Sequence, residues 1–374
     1  MICGYMLHLA REFAKKELVF GFLLYEKPYF LWRDMFNNKG KLWEKKDGIF
    51  MIRPLYILPL AHRFLLVRTI NQYLHALICF PLIVRWIKWR QKARTYGKPI
   101  FVFYHPEKEV VYFRFVCWVF SITHMTLFDL VDYPPVHREP KALAIYEDYI
   151  KKTDIVTVNS HTLYHIFSRV RRDIHIVPPG FADEDFIHIR SSSLRQNNKP
   201  TIGFVGSMGS RLDYSLLEEL IRKNPQWNFL FWGPTEIVEG EDRKQIEKNI
   251  ASLFRYKNVM HGASKDRLTV ASVFQNIDIG IIPYAPQRTQ NRYSFPMKFF
   301  EYLCMGKPVV STSIVELRRF SEFVKIGSTS REWEQHIREW LEVPLTVSQR
   351  RMTRRLAMEN RWEKKAEAIF KLVL

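Results

Sequence analysis

Lys298 and Glu301 stand three residues apart in the segment YSFPMKFFEYLCMGKPVV, which runs from Tyr293 to Val310. Pro296 fits the first turn of a helix, and Gly306 with Pro308 stops that helix after about three turns. Both side chains then project from one face near the helix N-terminus. Free N–H groups and the helix dipole favour an anion at that end, and Lys298 adds a full positive charge. A phosphate could bind there beside a carboxylate able to accept hydrogen bonds from two neighbouring hydroxyls. A nucleoside diphosphate, with its pyrophosphate and ribose, offers both. The competing reading is a surface helix with an ordinary Lys–Glu pair, which the same spacing also serves.

The surroundings bear on that choice. Upstream, Asp278-Ile-Gly-Ile-Ile-Pro-Tyr is a short apolar strand running into a Pro-rich loop, and Lys307-Pro-Val-Val-Ser reads as a buried strand just downstream. Ligands of open α/β sheets bind beyond such carboxyl ends. The stretch resembles the nucleotide-sugar glycosyltransferases of the GT-B fold, in particular bacterial polysaccharide-synthesis members of the family 4 and teichuronic-acid type. Their pattern reads roughly D-v-x-i-x-P-f … S-x-P-x-K-x-x-E-Y-x-a-x-G-K-P-V-V-S. It is met here by Asp278, Pro283, Ser294, Pro296, Lys298, Glu301, Tyr302 and Gly306 through Ser311. The resemblance implies an α/β fold of two Rossmann-like domains around a cleft. It implies a nucleotide-diphosphate sugar as donor, no metal and no other cofactor, and a lipid-linked or polysaccharide acceptor.

The C-terminal half alternates strands and helices: strand Thr201–Val205, helix Asp213–Lys223, strand Asn228–Trp232, a helix around Asp242–Leu253, strand Asn258–Met260, helix Lys265–Gln275 and strand Asp278–Ile282. That order implies parallel pairing in a doubly wound sheet. The first strand ends in the Gly-rich loop Phe204-Val-Gly-Ser-Met-Gly-Ser, where Gly206 and Gly209 would let backbone approach a phosphate. Many strand-to-helix turns look the same, but the resembled family carries its donor-phosphate loop at this place. The expected donor-binding set is therefore Gly206, Ser207, Met208, Arg211, Ser294, Met297, Lys298 and Glu301.

The N-terminal half is less regular. Pro99–Tyr104 is expected as a strand, Glu107–Phe120 as a helix, Met125–Val131 as a strand, Glu139–Lys152 as a helix, and Asp154–Val158 and Ile174–Val177 as strands. This order is similar to the acceptor domain of the same family. An inverting transfer needs a base for the acceptor hydroxyl, and Asp132 then Asp129 are the candidates; both follow a strand beside the presumed cleft, and their spacing of three lets only one of them point inward. Asp132 serves equally well as a turn or cap carboxylate before Pro134-Pro135. His105 occupies a place where some retaining relatives carry a donor-sugar histidine, although a histidine before Pro106 also suits a plain turn. Retaining relatives carry a second glutamate eight residues before the one matching Glu301; here that position is Tyr293, which leaves the stereochemistry open.

Two domains are expected, an acceptor-side one over residues 1–186 and a nucleotide-sugar-binding one over 200–346, joined by the polar linker Ile187–Pro200. A helical tail, Val347–Leu374, is expected to pack back on the first domain. Relatives begin with a strand before a helix like Gly4–Lys16, so the first sheet is expected to lack that strand or the chain to start further upstream.

With 57 basic against 38 acidic residues the net charge is +19, which calls for an anionic partner without choosing it. The run Arg85 to Lys98 carries six positive charges, two tryptophans and no acid, and suits an anionic bilayer interface as well as a helix packed inside the domain. No nucleic-acid module accompanies the charge. Four scattered cysteines lack metal-ligand spacing and fit a reduced, cytoplasmic protein. Neither Ala76–Ile87 nor Val110–Phe128 reads as a transmembrane helix, and no secretory signal is visible. A peripheral enzyme on the inner face of the cytoplasmic membrane follows. Two rivals stand beside it: a GT-B sugar-nucleotide epimerase, and a catalytically degenerate sugar-nucleotide-binding protein.

Overall fold

The computed structural model describes residues 4–15, 100–106, 123–136, 140–186, 199–237, 242–264 and 266–373 continuously, with short strands and single positions elsewhere before residue 122. The basic run 85–98, the span 76–87, nearly all of 107–120 and linker residues 187–198 lie outside the described residues. The chain opens with helix α1 (Gly4–Lys15), followed by five short strands, β1 (Phe22–Leu24), β2 (Tyr29–Phe30), β3 (Trp43–Lys46), β4 (Ile49–Ile52) and β5 (Leu55–Tyr56). Two parallel sheets then form the two halves of the molecule.

The first sheet takes β6 (Ile100–Phe103), β7 (Met125–Leu130), β8 (Ile155–Val158) and β9 (Ile174–Ile176) in that spatial order, with α2 (Ala142–Lys152) and α3 (His161–Phe167) as crossovers. Side chains alternate along β7 with period two. Phe128 and Leu130 join Phe103 under Tyr146 and Ile150 of α2. Leu127 looks the other way, into a core shared with Tyr5, Leu9 and Phe13 of α1.

The second sheet holds β10 (Thr201–Val205), β11 (Asn228–Trp232), β12 (Val259–Gly262), β13 (Ile279–Ile282), β14 (Val309–Ser311) and β15 (Val324–Ile326). Their order is β12-β11-β10-β13-β14-β15 and every pairing is parallel, which makes the doubly wound half of a GT-B fold. Three crossover helices, α4 (Tyr214–Lys223), α5 (Arg243–Leu253) and α6 (Arg267–Val273), each open on an aspartate. Asp213, Asp242 and Asp266 accept from the backbone N–H of Leu216, Gln245 and Thr269, and each such cap contributes about 1 kcal/mol.

Past β13 come α7 (Thr289–Tyr293) and α8 (Lys298–Cys304). At seven residues α8 is about two turns long, shorter than the sequence pattern suggests, because Met305 and Gly306 already close its last carbonyls. Phe299, Phe300, Tyr302 and Leu303 are fully buried, and burying each apolar side chain of this size stabilises by about 1.5–3 kcal/mol. Tyr302 fastens α8 to the sheet: its hydroxyl donates to the Gly203 carbonyl at 2.9 Å and accepts from the Val205 N–H at 3.1 Å. The helix can lie this close only because residue 280 is glycine; a Cβ there would stand 2.5 Å from the Tyr302 ring. Lys298 and Glu301, left on the other face, are thereby held at the carboxyl end of the sheet.

The tail is two helices rather than one. After α9 (Ser330–Glu342), α10 (Val347–Met358) packs along α8, the chain breaks at Glu359–Arg361, and α11 (Trp362–Val373) packs along α1 on the first sheet. Trp362 meets the Tyr5 ring edge-on at 4.7 Å and stacks on His8 at 5.4 Å. No helix among the described residues is long and apolar enough to cross a membrane.

Candidate functional site

β10 ends at Val205 and the chain turns at Gly206, whose φ of 152° is a conformation side-chain-bearing residues avoid. The Gly206 N–H donates to the Trp232 carbonyl at 2.8 Å, and a Cβ at 206 would stand 2.9 Å from Lys298 Cε. Lys298 therefore lies flat against the loop backbone, where no larger residue would let it lie. Its ammonium donates to the Tyr284 hydroxyl and stands 5.0 Å over the Phe204 ring and 4.8 Å over the Tyr284 ring.

Arg211 brings a second cation to the same phenol, with its guanidinium 4.6 Å over the Tyr284 ring. Nε donates to Asn291 Oδ1 at 2.8 Å and Nη2 to Ser294 Oγ at 3.3 Å. Asn291 is itself fixed, its amide donating to the carbonyls of Arg211 and Ala285 at 2.9 and 3.0 Å. Burial pushes the Tyr284 phenol up, but Lys298 and Arg211 outweigh it and hold its pKa below the ordinary value. Two cations around one buried phenol make a strongly electropositive spot at the end of β10.

The remaining donor-side candidates divide by what they present. Met208 is buried, and its N–H and C=O pair with Pro234 and Glu236, so it shapes the loop. Ser294 is buried behind Arg211, donating to the Asn291 carbonyl at 3.0 Å. Ser207 and Glu301 are half-buried and Met297 is exposed at the start of α8.

Across from this spot stands the end of β7. Asp132, two residues past β7, is exposed at its surface with protein packed around it. That surrounding protein pushes its carboxyl pKa up, and the charges of Arg211 and His105 partly oppose it. His105 Nδ1 pairs with the Tyr146 hydroxyl at 3.0 Å. The next residue, Tyr133, meets Tyr293 of α7 with ring centroids 5.1 Å apart. Asp132, His105 and Arg211 thus share one field, although Arg211 comes from the other domain.

Asp129 does not belong to this wall. Three residues before Asp132 on a strand of period two, it points to the face shared with Leu127, is fully buried, and pairs with Lys365 of α11 at 3.2 Å. Of the two carboxylates, whose spacing lets only one point inward, Asp129 is the one turned away, and its candidacy as the base is corrected: its carboxylate is enclosed in the core and paired with a lysine.

A further contact joins the halves. Glu316, buried in the 3-10 turn Val315–Phe320, accepts from the backbone N–H groups of His161 and Thr162 and from the Thr162 hydroxyl at 3.3, 3.2 and 3.0 Å. It caps α3 of the first domain from the second. Sequence reasoning missed this contact and missed Tyr284 and Asn291; the only local signal was Tyr284 directly after Pro283 at a strand end. Among the described residues no group of three or more His, Cys, Asp or Glu is arranged to hold a metal.

Residues 199–341 match the family model of the group 1 glycosyl transferases. Over 201 residues, 52% of the chain, the sequence is 29% identical to the putative teichuronic acid biosynthesis glycosyltransferase TuaH of Bacillus subtilis. The alignment spans 46% of that relative, about half its length. A sucrose-phosphate synthase from Thermosynechococcus elongatus superposes with a TM-score of 0.68 at 15% identity, covering 99% of this chain and 92% of that one. HepE of Anabaena, solved in complex with UDP and glucose, superposes with a TM-score of 0.67 at 14% identity over 98% of this chain and 94% of its own.

Proposed function

Because residues 199–341 match the family model of the group 1 glycosyl transferases and the chain superposes on GT-B structures, we propose that the protein transfers a sugar from a nucleotide-diphosphate sugar to a lipid-linked or polysaccharide acceptor. The observation that carries this reading is the approach of two unlike sets of groups from opposite domains. Lys298, Arg211 and the Gly206 loop concentrate positive charge on one side, and Asp132 with a raised pKa stands on the other within the field of Arg211.

In the proposed reaction the donor diphosphate lies against Lys298 and the Gly206–Ser210 backbone, and Glu301 accepts hydrogen bonds from the ribose hydroxyls. The acceptor oxygen forms its bond to the anomeric carbon as the bond from that carbon to the phosphate oxygen breaks. The electron pair leaves on the nucleoside diphosphate, whose growing charge the cations neutralise. In an inverting transfer the acceptor proton passes to Asp132, whose pKa above the ordinary carboxylate value makes it a stronger base than an exposed aspartate. His105, whose charge acts on Asp132, is assigned to the donor sugar in this reading.

The acceptor class rests on the name of the Bacillus subtilis relative and on the charge of +19. The run Arg85–Lys98 supports attachment to the anionic inner face of the cytoplasmic membrane. Sedimentation with phosphatidylglycerol vesicles should then fall as salt rises, while equal sedimentation with neutral vesicles would contradict it. Mass spectrometry of membranes incubated with the protein and a panel of sugar nucleotides, UDP-glucose among them, tests the activity. A lipid or polymer heavier by one sugar residue supports transfer. An isomerised donor would point to an epimerase, and binding without consumption to a degenerate binder.

A further inference from the structure

Among the described residues, a densely bonded polar cluster lies behind Asp132. Lys365 and Asp129, each almost wholly buried, meet between α11 and β7, 236 residues apart in sequence. The Lys365 ammonium reaches Asp129 Oδ2 at 3.2 Å and donates to Asp129 Oδ1 at 3.3 Å and to the Val177 carbonyl at 3.1 Å. Asp129 also accepts from the Tyr5 hydroxyl at 3.0 Å and the Thr157 hydroxyl at 2.7 Å. α1, β7, β8, the residue after β9 and α11 thus converge on one ion pair. A buried pair of this kind stabilises a fold no better than well-packed apolar side chains of similar volume. Its distinctive property is that it accepts only one register.

That register bears on the cleft. Asp132 lies two residues past the end of β7, and the intervening Val131 carbonyl accepts from Asn159 Nδ2 at 2.5 Å. The helix that carries Lys365 is tied in turn to the donor side. α10 packs along α8, with Arg350 beside Gly306. The join between α10 and α11 is clamped, since Phe181 N–H donates to the Asn360 carbonyl at 3.0 Å and Arg361 donates to Asp183 at 3.1 Å. A continuous strap therefore runs from the helix of Lys298, through the tail, to the strand of Asp132.

We propose that Lys365 is a positioning residue: through Asp129 it fixes the end of β7, and with it Asp132, in register with the donor helix α8. The consequence for transfer rests on the assignment of Asp132 as base given above. Displacing a reacting group by about 1 Å can cost on the order of a hundredfold in rate, so a strap between base and donor helix has a direct kinetic effect.

The test replaces both charges together, Asp129→Asn with Lys365→Met, so that neither is left buried alone. Two readouts are compared with the unaltered protein. Amide exchange across residues 130–133 should speed up by roughly tenfold or more while exchange in 298–304 and the melting temperature stay close to their original values. Sugar transfer from the donor that the panel identifies should lose kcat by roughly tenfold or more with the donor KM unchanged, a split that mere destabilisation would not produce. Unchanged exchange at 130–133 overturns the proposal. So does unchanged kcat when Asp132→Asn abolishes transfer. If Asp132→Asn itself turns over normally, the base assignment falls and the kinetic consequence with it, while the exchange result still decides whether the pair holds the strand.

Discussion

Lys298 and Lys365 sit at the two ends of the same strap and are held in opposite ways. Lys365 is completely buried, with a carboxylate, a carbonyl and the face of Tyr5 around it. Lys298 is half-buried and rests on a phenol and two ring faces. Ring faces and a hydroxyl orient an ammonium without neutralising it, whereas a bidentate carboxylate neutralises it in place. The first arrangement orients the charge at the carboxyl end of the sheet, and the second spends it on architecture. Asp132 and Asp129 repeat the contrast three residues apart, one just past β7 and the other within it.

The largest effect that tests this contrast is on stability. Lys365→Met alone leaves Asp129 charged and buried without its cation, and should cost about 3–5 kcal/mol in denaturant unfolding. Replacing both residues, as above, should recover most of that loss. A single variant as stable as the parent would mean that Lys365 contributes no more than a surface lysine.

Next in size is the rate. Asp132→Asn keeps shape and hydrogen-bonding reach but removes basicity, and should lower kcat on the order of a hundredfold with donor affinity near that of the parent. Near-normal turnover would exclude Asp132 as the base, and the burial of Asp129 means that the role could not pass to it.

A smaller effect appears in the pH dependence. The folded-state pKa of Asp132 is raised, so above the ordinary aspartate value the native protein still binds a proton that the unfolded chain has released. Stability linked to this group is therefore largest at low pH and falls as pH climbs through the window between the two values. The same shift places the acidic limb of the kcat/KM profile above the usual carboxylate range. Asp132→Asn should remove the stability slope in that window, and unfolding curves at a series of pH values would show whether it does.

Much of the second domain was legible in the chain. Its strands up to β14 fall within a residue or two of the positions that apolar runs and helix-length spacers indicate, because three crossover helices open on aspartate caps and the central strands β10 and β13 are buried along their whole length. The placement of Lys298 and Glu301 on one helix followed from spacing and from the Pro and Gly that bound it. The misplacement of Asp129 has a simple cause: its partner lies 236 residues away, and no local pattern announces a lysine arriving from the tail. What holds Arg211 in place is equally invisible locally, since its partners Asn291 and Ser294 are 80 and 83 residues downstream. The two-helix tail was read as one stretch because Glu359-Asn-Arg361 carries no proline or glycine to mark the break.

The account turns on Lys298 holding the donor's phosphate. Titration calorimetry of UDP against the parent and against Lys298→Ala measures this directly. Loss of one charge-assisted contact should weaken binding by about 1.5–3 kcal/mol, roughly ten- to a hundredfold in Kd, in a variant that melts like the parent. Equal affinity of the two folded proteins for UDP would place the phosphate elsewhere and contradict the account.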